Sequence, residues 1–130
     1  MANVWYQEAV EAFSKKLLDW EGDDFRALFV TSGYSFSQSH EFLSDVAGGN
    51  RVGSAVALTN KVASNGGLLA DPTLFSNFAG SAVDAIIIYH HTGTEGTSRL
   101  ILYIDTGTNV AFNPNGGNVT INWPTPLAVL

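Results

Sequence analysis

Ala82-Val83-Asp84-Ala85-Ile86-Ile87-Ile88-Tyr89-His90 and Arg99-Leu100-Ile101-Leu102-Tyr103-Ile104-Asp105 are the two most apolar runs of the chain. They are joined by His91-Thr92-Gly93-Thr94-Glu95-Gly96-Thr97-Ser98, whose glycines and hydroxyl residues favour chain reversal. Ile and Tyr dominate both runs, and β-branched and aromatic side chains fit a pleated, half-buried surface. In the second run Leu100, Leu102 and Ile104 share one face, while Arg99, Ile101, Tyr103 and Asp105 share the other. The first run is apolar on both faces at its centre. The pair therefore predicts the central hairpin of a sheet whose second face is at least partly covered.

Outward from this hairpin, most segments also read as short strands. Phe25 to Thr31 is apolar almost throughout. Arg51 to Ala63 places Val52, Val56 and Leu58 inward, and Asn65-Gly66 then signals a tight hairpin into Gly67-Leu68-Leu69-Ala70. Asp71 to Phe75 fits either a helical turn or a short strand. Val110 and Phe112 share a face, and Val119, Ile121 and Trp123 alternate with Asn118, Thr120 and Asn122. One helix is expected, over residues 4–20, where Tyr6, Val10, Phe13, Leu17 and Trp20 fall on one stripe and Asn3 can cap the start. Ser39 can cap a short helical turn over His40 to Val46. The prolines of the tail, Pro124 and Pro126, oppose a continuing ladder, which leaves Leu127 to Leu130 as an apolar end to be buried.

The expected architecture is mainly β: a β-sandwich or flattened barrel of about seven or eight short antiparallel strands with an N-terminal helix. Its 130 residues make a single domain. Residues 1–22 form the helix, 23–123 the β-rich core and 124–130 the apolar tail. At 45% hydrophobic residues the chain can build a core, and at 14% charged it leaves much of its surface uncharged.

Net charge is -6, and the six basic residues are scattered, which opposes nucleic-acid binding. With no Cys there is no disulfide or thiolate metal site. No basic-then-apolar leader is visible, and no apolar run approaches the roughly 20 residues of a membrane span. The chain is expected to be made in a reducing cytoplasm and to need no membrane.

Catalytic signatures are missing. Asp84, His90 and Asp105 are the best metal-ligand candidates, as residues able to approach across the hairpin of a small metal-dependent hydrolase. His40-Glu41 with Asp45 lacks helical metal-ligand spacing and reads as a capped turn. There is no Gly-x-Ser-x-Gly elbow, and Gly48-Gly49, Gly66-Gly67 and Gly116-Gly117 lack the Lys and Ser or Thr of a phosphate loop. A non-enzyme with no cofactor is expected.

Several segments together resemble a family of small virion proteins of tailed bacteriophages. They are His40-Glu41-Phe42-Leu43-Ser44-Asp45-Val46, Gly49-Asn50-Arg51-Val52, Thr92-Gly93-Thr94, Thr97-Ser98-Arg99-Leu100-Ile101, Tyr103-Ile104-Asp105-Thr106, Pro114-Asn115-Gly116-Gly117 and Ile121-Asn122-Trp123-Pro124. The resemblance spans about the last two-thirds of the chain and implies a structural virion component without catalytic residues. Its first implication is a capsid decoration or cement protein on the capsid surface, binding the major capsid protein, as a homo-oligomer. The alternative is a tail-tip or fibre-associated module that contacts the host. Trp5, Tyr6, Phe13, Tyr34, Phe36, Leu127 and Leu130 are the expected partner contacts.

Overall fold

The computed structural model describes residues 4–65, 67–105 and 112–123, with the backbone of 128–129. In chain order the regular elements are β1 (Val4–Trp5), α1 (Gln7–Ser14), β2 (Phe25–Val30), β3 (Arg51–Ala57), β4 (Val62–Ser64), β5 (Gly67–Leu69), β6 (Thr73–Phe75), β7 (Ala85–His90), β8 (Leu100–Ile104), β9 (Val119–Ile121) and β10 (Ala128–Val129). The fold is mainly β with one helix near the N-terminus. A five-stranded antiparallel sheet runs β1-β8-β7-β2-β3, flanked by a three-stranded sheet β10-β5-β4 and a β6-β9 pair. The large sheet keeps two edges, β1 and β3, so it does not close into a barrel.

The hairpin β7–β8 lies at the centre as expected, with Ile86 opposite Ile104, Ile87 opposite Tyr103 and Ile88 opposite Leu102. Every residue of β8 is buried, so both sheet faces are covered. Cross-strand partners share a face, which puts Phe25, Ala27 and Phe29 of β2 with His90, Ile88 and Ile86 of β7. α1 and the loop after it cover one end of this face: Phe25 lies 6.2 Å from Phe13, ring centroid to centroid, and 4.9 Å from Trp20. A phenylalanine cluster covers the other end, where Phe29 meets Phe75, Phe78 and Phe112 at 4.5, 4.8 and 5.3 Å. On the second face Tyr103 packs on Phe36 and Tyr34 at 4.7 and 6.0 Å. The second layer is therefore helix, loops and small sheets rather than one continuous sheet.

Three sequence expectations are corrected. First, the helix is eight residues, not seventeen. Val4 and Trp5 instead pair with Tyr103 and Leu102 as an edge strand. The C-terminal stop is a Schellman motif with lysine in place of glycine. Lys16 adopts φ 61°, Leu17 N donates to Ala12 O and Lys16 N to Phe13 O. The expected stripe is thus split: Val10 and Leu17 stay 40% and 60% exposed, while Tyr6 and Trp20 are buried outside the helix. Second, Arg51 to Ala63 is two strands in two sheets, β3 and β4. Together with β1 and β10 this gives ten short strands among the described residues. Third, the tail does enter a ladder, Ala128 opposite Leu68 and Val129 opposite Gly67. The expected Asn3 cap and the Val110 position lie outside the described residues.

The Asn65 hairpin forms as read, β4 pairing with β5 and Asn65 at φ 53°. Buried indole and hydroxyl groups are satisfied where strands meet: Trp123 Nε1 donates to Thr73 Oγ1 at 2.9 Å, Trp20 Nε1 to Leu69 O at 3.0 Å.

Candidate functional site

Of the seven expected partner contacts, two are turned into the protein's own interior. Tyr6 is fully buried and Tyr34 is 6% exposed. Their hydroxyls lie 2.7 Å apart, and Tyr34 Oη is 2.8 Å from His40 Nδ1. Burial pushes both phenols above the ordinary tyrosine value, so the chain of hydroxyls is neutral and structural at physiological pH. In this fold neither ring face is free for a partner. Leu127 and Leu130 lie outside the described residues.

Trp5, Phe13 and Phe36 remain half-buried. Trp5 and Phe13 touch edge-on at 5.9 Å. They belong to the α1 side of the sheet, whereas Phe36 packs on Tyr103 across it. The three therefore straddle the β1 edge. Gln38 lies along that edge, its carbonyl accepting from Gln7 N at 3.0 Å and its Nε2 donating to Trp5 O at 3.5 Å. Beside it is a broad depression of about 640 Å³ lined by Val4, Gln7, Phe36, Ser37, Gln38 and Ser39.

Asp84, His90 and Asp105 do not meet. Asp84 and His90 flank β7 at opposite ends, about 20 Å apart at the usual rise per residue. Asp105 follows Ile104, which faces Ile86, and so belongs to the Asp84 end. His90 instead lies on Phe25, with Nε2 3.5 Å from an Asp23 carboxylate oxygen. Among the described residues no three His, Asp or Glu side chains are grouped to hold a metal ion.

The His40-Glu41-Asp45 segment is a capped turn, but Asp45 rather than Ser39 supplies the cap. Its Oδ2 accepts from Glu41 N at 2.8 Å and Phe42 N at 3.2 Å, ahead of the 3-10 turn Leu43–Asp45. Glu41 pairs with Arg99 at 3.2 Å. The Glu41 amide above all holds the Asp45 carboxyl below its ordinary value, against an opposing effect of burial and with a lesser contribution from the Phe42 amide. A carboxyl depressed in the folded state adds stability above its unfolded pKa of about 3.9, and that stability is lost as pH falls through the folded value. Asp45→Ala should cost about 1 kcal/mol at pH 7, the usual worth of a capping side chain. Denaturant melts of wild type and variant should draw together as pH falls below the unfolded value of about 3.9; a gap unchanged on acidification past that value would contradict the assignment.

One site was not legible in the sequence. A groove of about 270 Å³ lies over the second face of the sheet beside β3, floored by Leu28 and Leu43 and walled by Arg51, Tyr89, His91 and Glu95. Arg51 fixes its geometry. The guanidinium donates to Leu43 O at 2.9 Å and Val46 O at 2.7 Å, and pairs with both oxygens of Glu95 at 2.8 and 2.9 Å. A hydroxyl web stiffens the rim loop: Thr92 N donates to Ser98 Oγ at 3.2 Å and Ser98 Oγ to Thr94 O at 2.8 Å. Tyr89 is 4% exposed, and burial raises its phenol while Arg26 and then Arg51 pull it down less strongly.

The chain matches no protein-family model and no curated protein.

Proposed function

We propose that the protein is a structural virion component of a tailed bacteriophage, a decoration or cement protein that binds the major capsid protein on the head shell as a homo-oligomer. The reading rests on the family resemblance of its ordered segments. One structural observation supports it: an apolar margin at the β1 edge, where Trp5, Phe13 and Phe36 are incompletely covered and Val10 and Leu17 stand exposed nearby in sequence. A repeating shell also multiplies a modest affinity per copy across many sites.

Purified empty shells test the proposal directly. The protein should co-sediment with them at fixed stoichiometry and raise their Tm, and Trp5→Ala with Phe36→Ala should weaken both effects. Absence of binding and of any thermal shift would overturn the cement role. Binding confined to tails, seen by gold-labelled antibody, would transfer the function to the tail tip.

A further inference from the structure

The groove beside β3 is lined by a phenol whose hydroxyl meets the groove rather than another protein group. Tyr89 is only 4% exposed, yet its hydroxyl makes no hydrogen bond among the described residues. It is not a sealed orphan, because the one fully enclosed side-chain polar atom without a partner there is Asp105 Oδ1. The phenol therefore opens on the groove it lines. The His91 ring, 6.1 Å from the Tyr89 ring centroid, likewise makes no hydrogen bond among the described residues.

The charges around this phenol cancel. Arg51 is matched by Glu95, and Arg26, the cross-strand neighbour of Tyr89, by Asp24 at 3.0 Å. An ion would gain little from such a rim. A neutral ligand, by contrast, meets the phenol and the imidazole, beside a guanidinium and carboxylate already paired to each other. Leu28, Leu43 and Ala55 provide apolar contact. The volume of about 270 Å³ falls just under the usual range of about 300–1,000 Å³ for drug-sized ligands, so one ring fills it.

We propose that this groove binds a single uncharged pyranose ring of a glycan, with Tyr89 Oη bonded to one sugar hydroxyl. Several hydroxyls around a ring with apolar C–H faces match a polar rim over an apolar floor better than the single polar tip of a peptide side chain. The site is independent of the capsid role.

The test is a titration of the labelled full chain, followed by amide NMR, with the methyl glycosides of glucose, galactose, mannose and N-acetylglucosamine. At least one should give saturable shifts confined to the groove, at residues 28, 43, 51–55 and 89–98. Tyr89→Phe removes a hydroxyl with no internal partner, so the variant should stay folded, keep the wild-type spectrum elsewhere, and bind about three- to tenfold more weakly. No saturable shift with any of the four would overturn the proposal, as would shifts that Tyr89→Phe leaves unchanged. Tighter binding of N-acetyl-tyrosinamide than of every glycoside would also overturn it, in favour of a protein side chain.

Discussion

Phe29→Ala should remove about 3–5 kcal/mol of stability, a large part of the 5–15 kcal/mol typical of a whole domain. Phe29 is fully buried and sits where the central sheet meets the small ones. On β2 it faces Ile86 and Val52, and its ring touches Phe75, Phe78 and Phe112. Truncation therefore forfeits the transfer of a whole aromatic side chain and leaves a void. Neighbours from β6, from the loop before β7 and from the segment before β9 cannot all collapse into it. Urea melts should show a lower midpoint at unchanged slope. A loss under about 1 kcal/mol would mean that the cluster is not the joint between the sheets.

Gly53→Val should be nearly as damaging, for a different reason. Gly53 has φ +66°, and a Cβ built there would lie 2.4 Å from Phe78 Cε1, with two further ring carbons at 3.1 and 3.2 Å. The left-handed backbone alone costs a side-chain-bearing residue about 1–2 kcal/mol. Displacing Phe78 adds about 1–3 kcal/mol of overpacking. Gly48 is the control, since a Cβ added there would meet nothing within 4 Å and its φ is not left-handed. Gly48→Ala should be neutral or stabilising by up to about 1 kcal/mol. Equal effects at the two glycines in a thermal melt would refute the steric argument.

Both positions bear on what was legible beforehand. The hairpin β7–β8 could be read because Ile86 to Ile88 and Leu100 to Ile104 satisfy strand propensity, length and turn flanking together. Asn65 could be read because its turn is local. The helix was over-read because its stop depends on Lys16 at φ 61°, and nothing about a lysine announces a left-handed residue. Val4 and Trp5 carry no sign that the edge of β8 awaits them 97 to 99 positions later. Asp84, His90 and Asp105 could be expected to approach across the hairpin, yet the six positions from Asp84 to His90 are extended strand, which separates residues faster than any other element. Phe29 could be read as apolar, but its ring partners come from three distant segments. The groove is the extreme case: Leu28, Leu43, Arg51, Tyr89 and Glu95 converge only after the sheet has formed.

The β1–β8 pairing also orders events in time. Ile88 meets Leu102 across 14 positions, whereas Val4 meets Tyr103 across 99. Closing the longer loop costs about 1.7 kcal/mol more in chain entropy. Loop-closure entropy therefore favours forming the hairpin before the N-terminal strand docks. During synthesis at roughly 5–20 residues per second, Val4 waits about 5–20 s for its partner to be made. Through that interval Trp5, Tyr6 and Phe13 have no sheet to cover them. A nascent chain of this topology is most exposed to self-association at its N-terminal end, before the sheet is complete.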